Sequence, residues 1–190
     1  MKTPTLAITL LASGLLSIYG CAQPANQNMG LSPSYADAAN NSFIPTNHHA
    51  ADVLIAQLQD KLPTGTGPLN VTTLANIDDL EKSSTLGRIV SEQLAARFKQ
   101  ADYKMVEMKF GSNLYIRQDQ GEMMLTREVH ELATAHNAKA VIVGTYGESR
   151  SYVFINLKVV QPNTSVVLAV YDYALPVNDS VSSMLRSKRL

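Results

Sequence analysis

Cys21 is the only cysteine among 190 residues, and that sets the terms on which the chain folds. One thiol closes no internal disulfide and supplies no cysteine-rich metal site, so the fold must come from burying an apolar core. There is enough to bury: 45% of the residues are hydrophobic and 17% are charged. The charges balance, 16 basic against 16 acidic. That leaves no basic footprint for nucleic acid, and the apolar content is too high for a wholly disordered chain. The length suits one domain with a tail.

The position of Cys21 gives it a second meaning. Met1-Lys2, an apolar stretch from Leu6 to Ala12, and Leu15-Leu16-Ser17-Ile18-Tyr19-Gly20 lead up to it in the layout of an export signal over residues 1–20. The apolar core is shorter than the roughly 20 residues of a membrane-spanning helix, which favours a processed signal over a permanent span. Ile18-Tyr19-Gly20-Cys21 resembles the bacterial lipobox, where a cysteine is diacylated on sulfur and becomes the new amino terminus. Tyr19 departs from the small residue usual at its place. The resemblance makes Cys21 the expected lipid attachment site, with palmitate-like chains contributing about 0.8 kcal/mol per buried methylene. Ala22, rather than an aspartate, follows it and implies sorting to the outer membrane. The competing reading is an ordinary secretory cleavage that leaves a free thiol.

Residues 21–47 form the expected lipidated cysteine and disordered tether. Asn, Ala, Ser and Pro dominate there, Asp37 is the only charge, and no periodicity is visible. Such composition does not offset its ordering entropy, and a coil of this length spans about 28 Å root-mean-square.

A globular domain is expected over 48–176. Ala51, Leu54, Ile55, Leu58 and Leu62 recur at helical spacing until Pro63-Thr64-Gly65-Thr66-Gly67-Pro68 stops them. Leu69 to Leu74 reads as a strand. Ser84 or Thr85 caps a second helix with an apolar stripe of Leu86, Ile89, Val90, Leu94 and Phe98. Strands are predicted from Tyr103 to Lys109 and Leu114 to Arg117, and a third helix from Thr126. Ala138 to Tyr146 is a continuous apolar run of the kind found in a central strand. Tyr152 to Val160 and Ser165 to Tyr173, joined by Gln161-Pro162-Asn163-Thr164, complete an antiparallel hairpin with Asn156 and Lys158 on its solvated face. The expected fold class is therefore α/β (α+β), a mixed sheet of about five strands packed by three helices. Residues 177–190 are expected to be a loose tail or a short packed helix.

Reactive constellations are missing from the sequence. It has no Gly-x-Ser-x-Gly elbow, phosphate-cradling glycine loop or His-Glu-x-x-His pair. His48-His49 lacks neighbouring ligands, and His130 and His136 fall on different faces of a helix. Asp78, Asp79 and Glu81 read as acids complementing the start of the next helix, and Gly121-Glu122 as a loop tied to Arg127. The expectation is no enzyme, no catalytic residue, no metal and no cofactor. Tyr146, Tyr152, Tyr171 and Tyr173 are expected to group near strand ends as a partner face, since tyrosine is common at interfaces.

These motifs in order, Val71-Thr72-Thr73-Leu74, Asp78-Asp79-Leu80, Leu86-Gly87-Arg88, Ser91-Glu92-Gln93-Leu94, Val106-Glu107, Gly121-Glu122, Leu125-Thr126-Arg127 and Val143-Gly144-Thr145-Tyr146, resemble the FlgO family of flagellar outer-membrane lipoproteins. The resemblance implies an accessory, non-catalytic protein near the flagellar basal body that supports flagellar stability and motility. The domain would face the periplasm alongside FlgP- and FlgT-like partners, and homo-oligomeric assembly belongs to the same expectation. It carries over one functional position, Cys21. In element order the domain is also similar to the amino-terminal domain of TolB and to lipoproteins that activate penicillin-binding proteins. The alternative function is thus a periplasmic activator of a cell-wall synthase.

Overall fold

The computed structural model describes residues 34–106, 116–119, 122–125, 133–134 and 136–186. Two compact units divide the chain, Met1–Ala38 and Ala39–Leu190. At their boundary lies the short helix α1 (Tyr35–Ala39), opened by Ser34 and Asp37, which cap each other. The Asp37 carboxylate accepts from the Ser34 N–H at 2.8 Å, and these bonds hold it below the usual carboxylate range.

Helix α2 (Phe43–Leu58) begins five residues before the expected start at His48, inside the stretch read as tether. Proline accounts for the difference. Pro45 is the third residue of α2, in the first turn, where a missing N–H costs no intrahelical bond. Asn41 Oδ1 accepts from the Phe43 N–H at 2.8 Å and supplies part of the cap. The buried stripe of α2 is Asn47, Ala50, Ala51, Leu54 and Leu58. Helix α3 (Thr85–Gln100) is the helix expected from Ser84, whose hydroxyl oxygen accepts from the Gly87 N–H at 3.3 Å. Leu86, Val90, Leu94 and Phe98 are fully buried on its inner face.

The main sheet has five strands. β1 (Leu69–Val71) and β2 (Ala75–Asn76) both run parallel to β5 (Ala140–Glu148), and β6 (Tyr152–Val160) and β7 (Val167–Pro176) follow antiparallel. The single strand expected from Leu69 to Leu74 is two short ones. Ser91 of α3 explains the interruption: its Oγ lies 2.9 Å from the Thr72 carbonyl and accepts from the Leu74 N–H at 3.0 Å. A helix side chain thus occupies positions a ladder partner would fill. The strand expected from Tyr103 is a single parallel bridge between Met105 and Leu69, and residues 107–109 lie outside the described ones.

β3 (Ile116–Asp119) and β4 (Glu122–Leu125) make a separate two-stranded sheet, with Asp119 opposite Glu122. Glu122 therefore opens a strand and is not part of a loop. Only Gln120 and Gly121 separate the strands, a spacing hairpins favour. Of the third helix expected from Thr126, only Ala133 and Thr134 are among the described residues. Past β7 the chain folds into α4 (Asp179–Leu185), capped by Asn178, whose Oδ1 accepts from the Val181 N–H at 2.9 Å. Val181 is buried, and Met184 and Leu185 pack against the core.

Strand register sorts the side chains into two layers. On one face Ile142, Tyr146, Val153, Ile155, Leu157, Ala169 and Leu175 meet α2, α3 and α4 in the main core. On the other, Val141, Val143 and Val160 join Ala75, Ala133, Ala138 and Leu80 in a smaller one. Gly144 permits close packing on the first face: a Cβ there would stand 2.8 Å from both the Asn156 carbonyl oxygen and Leu157 Cδ2.

Strand β7 ends the sheet, and α2 covers part of its outer edge. The Gln57 side chain donates to the Val170 carbonyl at 2.9 Å and accepts from the Val170 N–H at 3.2 Å. Lys61 Nζ donates to the Leu168 carbonyl at 2.6 Å.

Candidate functional site

The four tyrosines singled out from the sequence do not form one face. Tyr146 is buried at 4% exposure, and burial raises the pKa of its phenol although bonds to Ser84 and Ser83 oppose the shift. Tyr171 and Tyr173, two residues apart on β7, stack with ring centroids 5.9 Å apart on the helix-covered side. Tyr152 lies on the opposite side, half-exposed beside Phe154, with centroids 6.4 Å apart. The period of two in β6 and β7 accounts for the separation.

The stacked pair belongs to a polar seam. The Tyr173 hydroxyl donates to Asn47 Oδ1, and Asn47 Nδ2 donates to Gln93 Oε1 at 2.6 Å. Asn47 is fully buried, so one amide ties α2 to α3 and to β7. Burial pushes the Tyr173 phenol far above its ordinary pKa, with Tyr171 adding to the shift. His49 meets the edge of Tyr171 at 6.1 Å. It sits in the second turn of α2, so the histidine pair belongs to a helix and not to a tether junction. The sequence reading missed Asn47 because the residue sits in an Asn-rich stretch. Its helical spacing to Ala50, Ala51 and Leu54 was the available signal.

A second cluster explains several motif residues by packing. A Cβ on Gly87 would stand 2.5 Å from Ser83 Oγ, 2.6 Å from the Leu74 carbonyl oxygen and 3.1 Å from Tyr146 Cε1. Ser83 Oγ donates to that carbonyl at 2.6 Å. Gly87, Ser91 and Tyr146 thus let α3 lie directly on the parallel strands.

The half of the sheet that no described helix covers is a third region. Gly147, Phe154 and Ala174 stand side by side across β5, β6 and β7. Phe154 alternates with Asn156 and Lys158 along β6. That alternation puts an aromatic ring on the face assigned to solvent.

Asp78, Asp79 and Glu81 form a loop in which Asp79 accepts from Lys82 at 2.6 Å, a bond that lowers the pKa of its carboxyl. No three His, Cys, Asp or Glu among the described residues are grouped to hold a metal. His136 is exposed in a turn, and His130 and Arg127 lie outside the described residues. No described helix is long and apolar enough to cross a membrane. The described side chains offer packing and binding surfaces and no paired nucleophile and base.

A family model described as FlgO protein matches residues 48–180. The chain belongs to the FlgO family. Membership makes it a flagellum-associated chain of an accessory class. No curated protein matches it. Among solved structures, the FlgO-family chain is similar to the LpoB C-terminal domain from Escherichia coli, at 13% identity and a TM-score of 0.48 over 68% of this chain and 97% of that one. The LpoB C-terminal domain from Salmonella enterica gives 14% identity and 0.47, over 66% and 94%. The PelC dodecamer from Paraburkholderia phytofirmans gives 15% and 0.39, over 62% and 78%.

Proposed function

We propose that this FlgO-family chain is an outer-membrane-anchored lipoprotein and a structural, accessory component of the flagellar basal body, needed for flagellar stability and motility. The family match across residues 48–180 carries this reading. Acyl chains on Cys21 hold the protein in the outer membrane, and the domain faces the periplasm. Its partners are other ring proteins of the FlgP and FlgT kind.

Because α2 begins at Phe43, the leash is shorter than the sequence implied. From Cys21 to Ser42, even fully extended, it reaches at most about 75 Å. That length suits a partner at the outer membrane better than one far across the periplasm.

Deleting the gene is expected to reduce flagellation and swimming, and the protein to co-purify with intact basal bodies. Cys21→Ser is expected to move it out of the membrane fraction. Normal motility with normal basal bodies in the deletant overturns the proposal, as does recovery of a penicillin-binding protein without flagellar components.

A further inference from the structure

The half of the sheet that no described helix covers presents apolar groups where a solvated strand face ordinarily carries polar ones. Ile77 is 45% exposed, Tyr152 50%, Phe154 53% and Val170 50%. They are not scattered. Phe154 stands between Gly147 and Ala174 in the cross-strand register. Ile77 lies against Gly147, where an added Cβ would come within 3.0 Å of Ile77 Cγ2. Tyr152 packs beside Phe154, and Val170 lies farther along β7 on the same face.

Two exposed charges of opposite sign share that face. Lys158 is opposite Val170, and Asp172 is opposite Asn156, so they are diagonal neighbours on adjacent strands. Neither makes an ion pair with a described residue. We propose that this face is an isologous contact between two copies of the chain, with Lys158 of each copy facing Asp172 of the other beside the apolar row that holds Phe154. A two-fold contact requires a surface that complements itself. One cation and one anion beside an apolar row meet that requirement, whereas a strongly charged partner would leave one of them opposed by a like charge. From Cys21 onward 15 basic side chains stand against 16 acidic ones, so copies repel each other little.

The test is sedimentation equilibrium of the full chain, purified from membranes in density-matched detergent. The unsubstituted protein is expected to dimerise below about 100 µM, with Phe154→Asp weakening association at least about tenfold. Lys158→Asp and Asp172→Lys are each expected to weaken it about tenfold, and K158D/D172K to return it to within about threefold of the starting value. Reciprocal rescue is specific to contact between copies, because swapping both charges would not restore a fit to a different protein. If Phe154→Asp melts at a lower temperature, the charge-swap set decides alone. A chain that stays monomeric at about 100 µM, or a double variant as weak as the singles, overturns the proposal. So does a Phe154→Asp variant that loses a different protein partner while the unsubstituted chain is monomeric.

Discussion

The phenol of Tyr173 donates to the side-chain carbonyl of Asn47, fastening the last strand of the sheet to the first long helix across 126 residues of sequence. Both remaining hydrogens of that amide sit on Nδ2, which reaches Gln93 on α3 at 2.6 Å. Asn47→Ala removes both bonds in a fully buried place and is expected to lower stability by about 2–3 kcal/mol, read as a shift in the urea midpoint. Tyr173→Phe should cost about 1–2 kcal/mol. Because the two residues share a bond, the double variant should be more stable than the sum of the single losses implies.

Gly87→Ala runs against helix propensity. In an exposed helix interior alanine is favoured over glycine by about 1 kcal/mol. Here the new methyl meets Ser83 Oγ at 2.5 Å and the Leu74 carbonyl oxygen at 2.6 Å. The helix must lift from the strands or lose the Ser83 bond, and a net loss of about 2–3 kcal/mol is expected. Thermal unfolding monitored by circular dichroism would measure it, and a stabilised variant would refute the close approach.

Asp52 and Arg97 join α2 to α3 through two hydrogen bonds, 2.7 and 3.0 Å long. The pair looks strong, yet the side chains are 44% and 38% exposed. Water and salt compete for both charges. Asp52→Ala is therefore expected to leave the urea midpoint nearly unchanged, and any small loss to disappear as sodium chloride is raised.

Alkaline pH should unfold the domain through its tyrosines. Burial raises the phenol pKa of Tyr103, Tyr146 and Tyr173 above the ordinary value of 10.0. Above that pH the unfolded chain loses these protons while the folded chain keeps them, so stability is complete below about pH 10 and falls as pH rises further. Tyr173→Phe removes one titrating group and should flatten the decline, measured as the urea midpoint at successive pH values from 9 to 11.

The sequence made the domain's framework legible and hid what joins its parts. Tyr152 to Val160 matches β6 residue for residue, and Ser84 caps α3 as its spacing implied. Period and cap chemistry are local, so a single chain displays them. The start of α2 was hidden because Pro45 reads as a breaker unless its place in the first turn is known. Ser91's part in dividing β1 from β2 depends on a contact between residues 17 and 19 positions apart. Tyr171 and Tyr152 were grouped because composition does not reveal which face a strand residue takes until its register is fixed.

Molecules held on a surface meet their own kind far more often than molecules free in a volume. For a chain proposed to live on a membrane, an open strand edge would let neighbours zip together without limit. Gln57 offers Val170 the same donor and acceptor that another peptide would, and Lys61 occupies the carbonyl of Leu168. Asp172 and Pro176 add a charge and a missing N–H farther along the same strand. An incoming strand would have to displace a side chain already in its place, so Gln57 of α2 and Lys61 just past its end act as a chain terminator for polymerisation along this edge.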